Sequence, residues 1–61
     1  MSAGDLLTGR IAVECDFITS EQLKEALRVQ HDNYPNRPIG QILLALEYLR
    51  PDQLATVLDM Q

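Results

Sequence analysis

A chain of 61 residues builds one small domain at most, and at that size only about 60% of the unfolded surface can be buried, so stability must be thin. The composition, 46% apolar with three Gly and three Pro, excludes a collagenous or disordered chain, and nine acidic against five basic residues argue against duplex nucleic acid or an anionic membrane as partner. One Cys and one His admit neither an internal disulfide nor a zinc cluster, so the fold has to hold by packing.

The opening segment has no basic n-region, and Arg10 and Glu14 interrupt its apolar run, so it does not read as a signal peptide. Leu7, Ile11 and Cys15 share one face at a spacing of four, which predicts a first helix; Asp16 and Phe17 then lead to Ile18 and a new start. Thr19 followed by Gln22 is a capping box, and a second helix is predicted from about Ser20 to His31. Its inward face is Leu23, Ala26, Leu27 and Gln30, while Glu21, Lys24, Glu25 and Arg28 form a solvated face.

Asp32 to Pro38 carries two prolines and two asparagines and reads as a loop, with Tyr34 and Arg37 each pushed to extended geometry by the next residue, a proline. Pro38 is expected in the first turn of a third helix. That helix presents Ile39, Ile42, Leu43 and Leu46 as a stripe, widened by Leu44, Ala45 and Tyr48 until nearly the whole circumference is apolar. Its longest uncharged run, Pro38 to Leu46, is nine residues, against the ~20 needed to cross a bilayer, and a cytoplasmic location is expected. Pro51 and Asp52 open a fourth helix whose predicted inward residues are Leu54, Val57, Leu58 and Gln61.

Shifting the sequence by 31 positions pairs residues 7–30 with 38–61, and six of the 24 pairs are identical: Gly9/Gly40, Ile11/Ile42, Gln22/Gln53, Leu23/Leu54, Leu27/Leu58 and Gln30/Gln61. Matches at periodic apolar sites point to two copies of one supersecondary unit. The predicted architecture is all-α: a single domain over 1–61, built of two tandem helix-turn-helix hairpin repeats, at about 7–30 and 38–61, joined by a linker over 31–37 into a compact four-helix domain.

The pattern G-x-I-x-x-x-x-x-x-I-T-x-x-Q-L-x-x-A-L-x-x-Q from Gly9 to Gln30, with its second copy from Gly40 to Gln61, resembles the helical N-terminal domain of type II secretion and type IV pilus assembly ATPases. Similar units occur as adaptor modules in bacterial secretion and signalling proteins. In the MshEN subset the motif opens Arg-Leu-Gly and two copies grip cyclic di-GMP. The resemblance implies Gly9, Gly40, Gln30, Gln61 and Leu43 as ligand-binding positions. The two motif arginines fall on Leu7 and Pro38, with Arg10 and Arg37 nearby but out of register. Gly9 and Gly40 can equally serve close helix packing, and Gln30 and Gln61 can bridge helix ends.

Catalysis finds no footing: Cys15 aligns with Leu46 and reads as a small buried hydrophobe, His31 reads as favouring a helix C-terminus, and no carboxylate spacing suggests a dyad. The five basic residues are scattered among acidic neighbours, unlike a DNA-binding face. The expected function is a non-catalytic protein–protein interaction or adaptor module of a bacterial secretion, pilus or signalling protein, needing no cofactor or metal. It would dock a protein partner or a second copy through Val13, Phe17, Leu44, Tyr48 and Met60, the apolar surplus around helix three. Phe17 can instead seal the turn between helices. The alternative is a regulatory domain that binds cyclic di-GMP. The end on Gln61, the last residue of the second motif, reads as that of a domain excised from a longer protein.

Overall fold

The computed structural model describes residues 3–61; Met1 and Ser2, included in the expected 1–61 domain, lie outside the described residues. The described residues form four α-helices and no strand: α1 (Ala3–Glu14), α2 (Ser20–Asn33), α3 (Ile39–Ala45) and α4 (Pro51–Asp59). The all-α, four-helix expectation holds. Helix α1 begins a turn before Leu7, and α2 runs to Asn33, so the link between hairpins is 34–38. Pro38 is the N-cap of α3, with ψ 149°, rather than a residue of its first turn.

Helices α1 and α3 end in the same way. Asp16 and Glu47 adopt left-handed conformations, with φ of 60° and 63°. In the first, Phe17 N–H donates to Ala12 O at 3.0 Å and Asp16 N–H to Val13 O at 3.0 Å; in the second, Tyr48 donates to Leu43 O and Glu47 to Leu44 O at the same distances. These are Schellman caps, in which a left-handed residue turns the chain back and the next residue covers the helix end. The aromatic rings of Phe17 and Tyr48 occupy that covering position and pack against the core.

Helices α2 and α4 start in nearly the same way. Thr19 Oγ1 accepts the Gln22 amide at 3.1 Å, and Gln22 Oε1 accepts the Thr19 amide at 2.9 Å, a complete capping box. Before α4, Gln53 Oε1 accepts the Arg50 amide at 3.0 Å, but a guanidinium has no acceptor with which to complete the box. Pro51 at the first position removes one orphan amide in compensation.

The packing interlocks the hairpins: α2 lies against α3, α4 against α1, and α1 against α3. The core consists of Ala12, Ile18, Ala26, Ile39, Ile42, Leu43, Leu49 and Val57, and six of these eight are three pairs related by the 31-residue shift. Ile39, Leu43 and Val57 are fully buried, each contributing about 1.5–3 kcal/mol. Because α1 and α2 both pack on α3, the short helix is central and buries Ile39, Ile42 and Leu43, while Leu44 is only partly buried and Ala45 is exposed. Two residues read as inward-facing stand at the surface instead, Leu58 and Gln61, and Leu7 is exposed as well.

Candidate functional site

Gly9 and Gly40 each face a leucine of the second helix of their own hairpin. A Cβ on Gly9 would stand 2.7 Å from Leu23 Cδ1, and one on Gly40 would stand 2.9 Å from Leu54 Cδ1. Both glycines are spoken for by packing, against leucines that are themselves a repeat pair. Leu43 is completely buried. Gln30, 6% exposed, donates from Nε2 to the Arg37 carbonyl at 2.7 Å, tying the end of α2 to the linker. Gln61 donates from Nε2 to Thr8 Oγ1, and Thr8 donates to the Gly4 carbonyl at 2.9 Å, tying the end of α4 to α1. Of the five ligand-binding positions, then, four lie inside the chain and each glutamine bridges its repeat to the opening of the other.

Three surface hollows stand out among the described residues. Thr8, Pro38, Gly40, Gln41, Leu54 and Leu58 line a groove of about 230 Å³ where α1, α3 and α4 meet. Leu44, Glu47, Leu49, Arg50 and Pro51 line a wider hollow of about 400 Å³ at the turn between α3 and α4. Leu27, Gln30, His31 and Pro35 line a cleft of about 110 Å³ beside the linker. None gathers a nucleophile and a base, and no group of three or more His, Cys, Asp or Glu could hold a metal ion among the described residues. His31 Nδ1 sits 3.1 Å from Asp32 Oδ1, fully at the surface.

The residues expected at an interface differ in exposure. Val13, Phe17 and Tyr48 are half-buried against the core, and Leu44 lines the hollow at the α3–α4 turn. Met60 is 58% exposed, its Sδ 3.6 Å from Sγ of the half-buried Cys15. The large apolar side chains that do face solvent on the helices are Leu6 (57%), Leu7 (45%) and Leu58 (52%), which joins Met60 at the end of the chain. All lie on α1 or at α4, the two helices packed together. Tyr34, also exposed, stands apart in the linker under the Arg37 guanidinium, 5.2 Å from the ring centre.

Periodicity alone could not find this face, because Leu7 and Leu58 keep the inward spacing. Leu27, the repeat partner of Leu58, is half-buried beside Pro35 of the linker, whereas Leu58 is 52% exposed.

Among the described residues four ion pairs decorate the surface: Arg10 with Glu14 at 3.1 Å, Arg28 with Glu25 at 2.6 Å, Arg50 with Asp52 at 3.6 Å, and His31 with Asp32. Exposed pairs of this kind contribute about 0–1 kcal/mol. The hydrogen bond from Arg28 to Glu25 pushes the Arg28 pKa up. No described helix is long and apolar enough to cross a membrane. No family model, curated protein or solved structure matches the chain.

Proposed function

We propose that this chain is a non-catalytic protein-interaction module, working in the cytoplasm as an adaptor unit of a bacterial secretion, pilus or signalling protein. The observation that supports it is the exposure of Leu6, Leu7, Leu58 and Met60, each about half-exposed, on two neighbouring helices. Leaving such side chains in water costs free energy that docking would recover, and contiguous apolar surface marks interfaces. The working face is therefore α1 with the end of α4, rather than the circumference of α3.

The test is affinity capture with the full chain beside its Leu58→Ser and Met60→Ser variants, combined with sedimentation at high micromolar concentration. A partner, or a self-associated species, that is held by the parent chain and lost from both variants is the expected result. A strict monomer that retains nothing in a side-chain-dependent way would overturn the reading. The cyclic di-GMP alternative is checked by calorimetry, where no heat at high micromolar nucleotide is expected. Leu43 and Gly9 are enclosed, whereas Gly40 lines the groove where α1, α3 and α4 meet, Gln30 lines the cleft beside the linker and Gln61 is exposed.

A further inference from the structure

The larger share of the helix packing runs between the hairpins rather than within them. Helix α2 lies on α3, and α1 lies on both α3 and α4, so three helix-to-helix interfaces cross from one hairpin to the other. The buried core is shared in the same way: Ala12, Ile18 and Ala26 come from the first hairpin, and Ile39, Ile42, Leu43, Leu49 and Val57 from the second. Residues 34–38 are the covalent link between the two, and the chain turns back there so that α3 meets α2. The contacts made by this link are local. Arg37 N–H donates to the Tyr34 carbonyl at 3.1 Å, Gln30 Nε2 donates to the Arg37 carbonyl at 2.7 Å, and the Arg37 guanidinium lies over the Tyr34 ring. Pro35 and Pro38 bias the residues before them, Tyr34 and Arg37, toward extended geometry, which favours an opened link. Fully extended, its five residues reach about 17 Å, against a narrowest molecular extent of 18 Å.

We infer that residues 34–38 are a hinge through which two copies of the chain exchange hairpins. In the exchanged dimer the first hairpin of one copy packs on the second hairpin of the other, so the interfaces between hairpins and the shared core re-form while the link changes shape. Short hinge loops invite such exchange. The occupant is a second copy because its hairpin presents the same inner face that the chain's own hairpin already fits. The exposed leucines take no part, so the inference stands apart from the interaction-module reading. Parting the hairpins uncovers Ile39, Leu43 and Val57, so the two forms interconvert only through unfolding. A short flexible link gives the closed chain an effective concentration on the order of millimolar, and the dimer competes once the protein approaches that concentration.

The test is refolding of the full chain from urea at about 1 mM and at low micromolar concentration, followed by sedimentation. A dimer with the helical content of the monomer is expected at the higher concentration, and monomer at the lower. In a dimer assembled from differently isotope-labelled chains, nuclear Overhauser contacts between core methyls of α2 and α3 should run from one chain to the other. Deleting residues 34–37 leaves one residue between α2 and α3, fewer than the roughly two to five that turn one helix back on the next, and should make the dimer obligate. Leu58→Ser should leave the exchanged dimer unchanged. Monomer alone after refolding at the higher concentration, or α2–α3 contacts that stay within one chain of a dimer, would overturn the inference. A dimer lost in Leu58→Ser would overturn it too, while supporting the interaction-module reading. A folded monomer from the deletion variant would also overturn it; if that variant does not fold, the refolded parent chain decides.

Discussion

Glu47 is held at φ 63° with its side chain exposed and, among the described residues, in no hydrogen bond or ion pair, so its left-handed backbone can be relieved without losing a contact. A non-glycine residue there costs roughly 1–2 kcal/mol over the right-handed region. Glycine removes that cost but gives back about 0.5–1 kcal/mol through the greater freedom of the unfolded chain. Glu47→Gly should therefore stabilise the protein by about 0.5–1 kcal/mol, which for a domain this size raises Tm by about 2–8 °C. Asp16, at φ 60° in the equivalent cap, is the internal comparison: aspartate tolerates the left-handed region better, so Asp16→Gly should gain less. Glu47→Ala controls for the lost charge, since it keeps the strain. Differential scanning calorimetry of the three variants reads the outcome directly. A lower Tm for Glu47→Gly, or an Asp16→Gly gain exceeding it, would refute the paired Schellman caps.

Leu43→Ala removes a completely buried side chain at a cost of about 2–5 kcal/mol, against a total stability of about 3–9 kcal/mol for a chain of 61 residues, so urea titration should find it mostly unfolded or close to it. A mild effect there would mean that Leu43 lines an open site instead. Thr19→Ala deletes the acceptor of the capping box and should cost about 1 kcal/mol, visible in the same titration, while the neighbouring Ser20→Ala should be near neutral. Gln30→Ala removes the donor to the Arg37 carbonyl of the linker and should cost about 0.5–1.5 kcal/mol, whereas Gln61→Ala, whose side chain is exposed, should cost less.

The four helices, the register of the repeat and the capping box at Thr19 were legible because each rests on a local pattern: apolar period, turn residues, and a hydroxyl three positions before a glutamine. The glycine pair was legible as a pair, and in the structure both glycines face the leucines Leu23 and Leu54, which are themselves a repeat pair. Other features depend on tertiary context that no local pattern encodes. Asp16 and Glu47 carry no glycine signal, so their left-handed caps emerge only once Phe17 and Tyr48 are seen to cover the helix ends. The apolar girth of α3 is ambiguous between a central helix and a docking one, and its packing against α1 and α2 accounts for Ile39, Ile42 and Leu43 while leaving Leu44 and Ala45 partly or fully open. Leu58 keeps the same spacing as Leu27, yet Leu27 is half-buried beside Pro35 and Leu58 is exposed, a difference that spacing does not encode.

The central claim is that the partner-binding surface is the α1/α4 face. The most direct measurement is partner capture and sedimentation of the parent chain, of Leu58→Ser and of Leu44→Ser, whose site lies at the α3–α4 turn. A loss of about tenfold at Leu58→Ser with Leu44→Ser unchanged is the predicted result. Loss at Leu44→Ser with Leu58→Ser unchanged would contradict it and return the binding surface to helix α3.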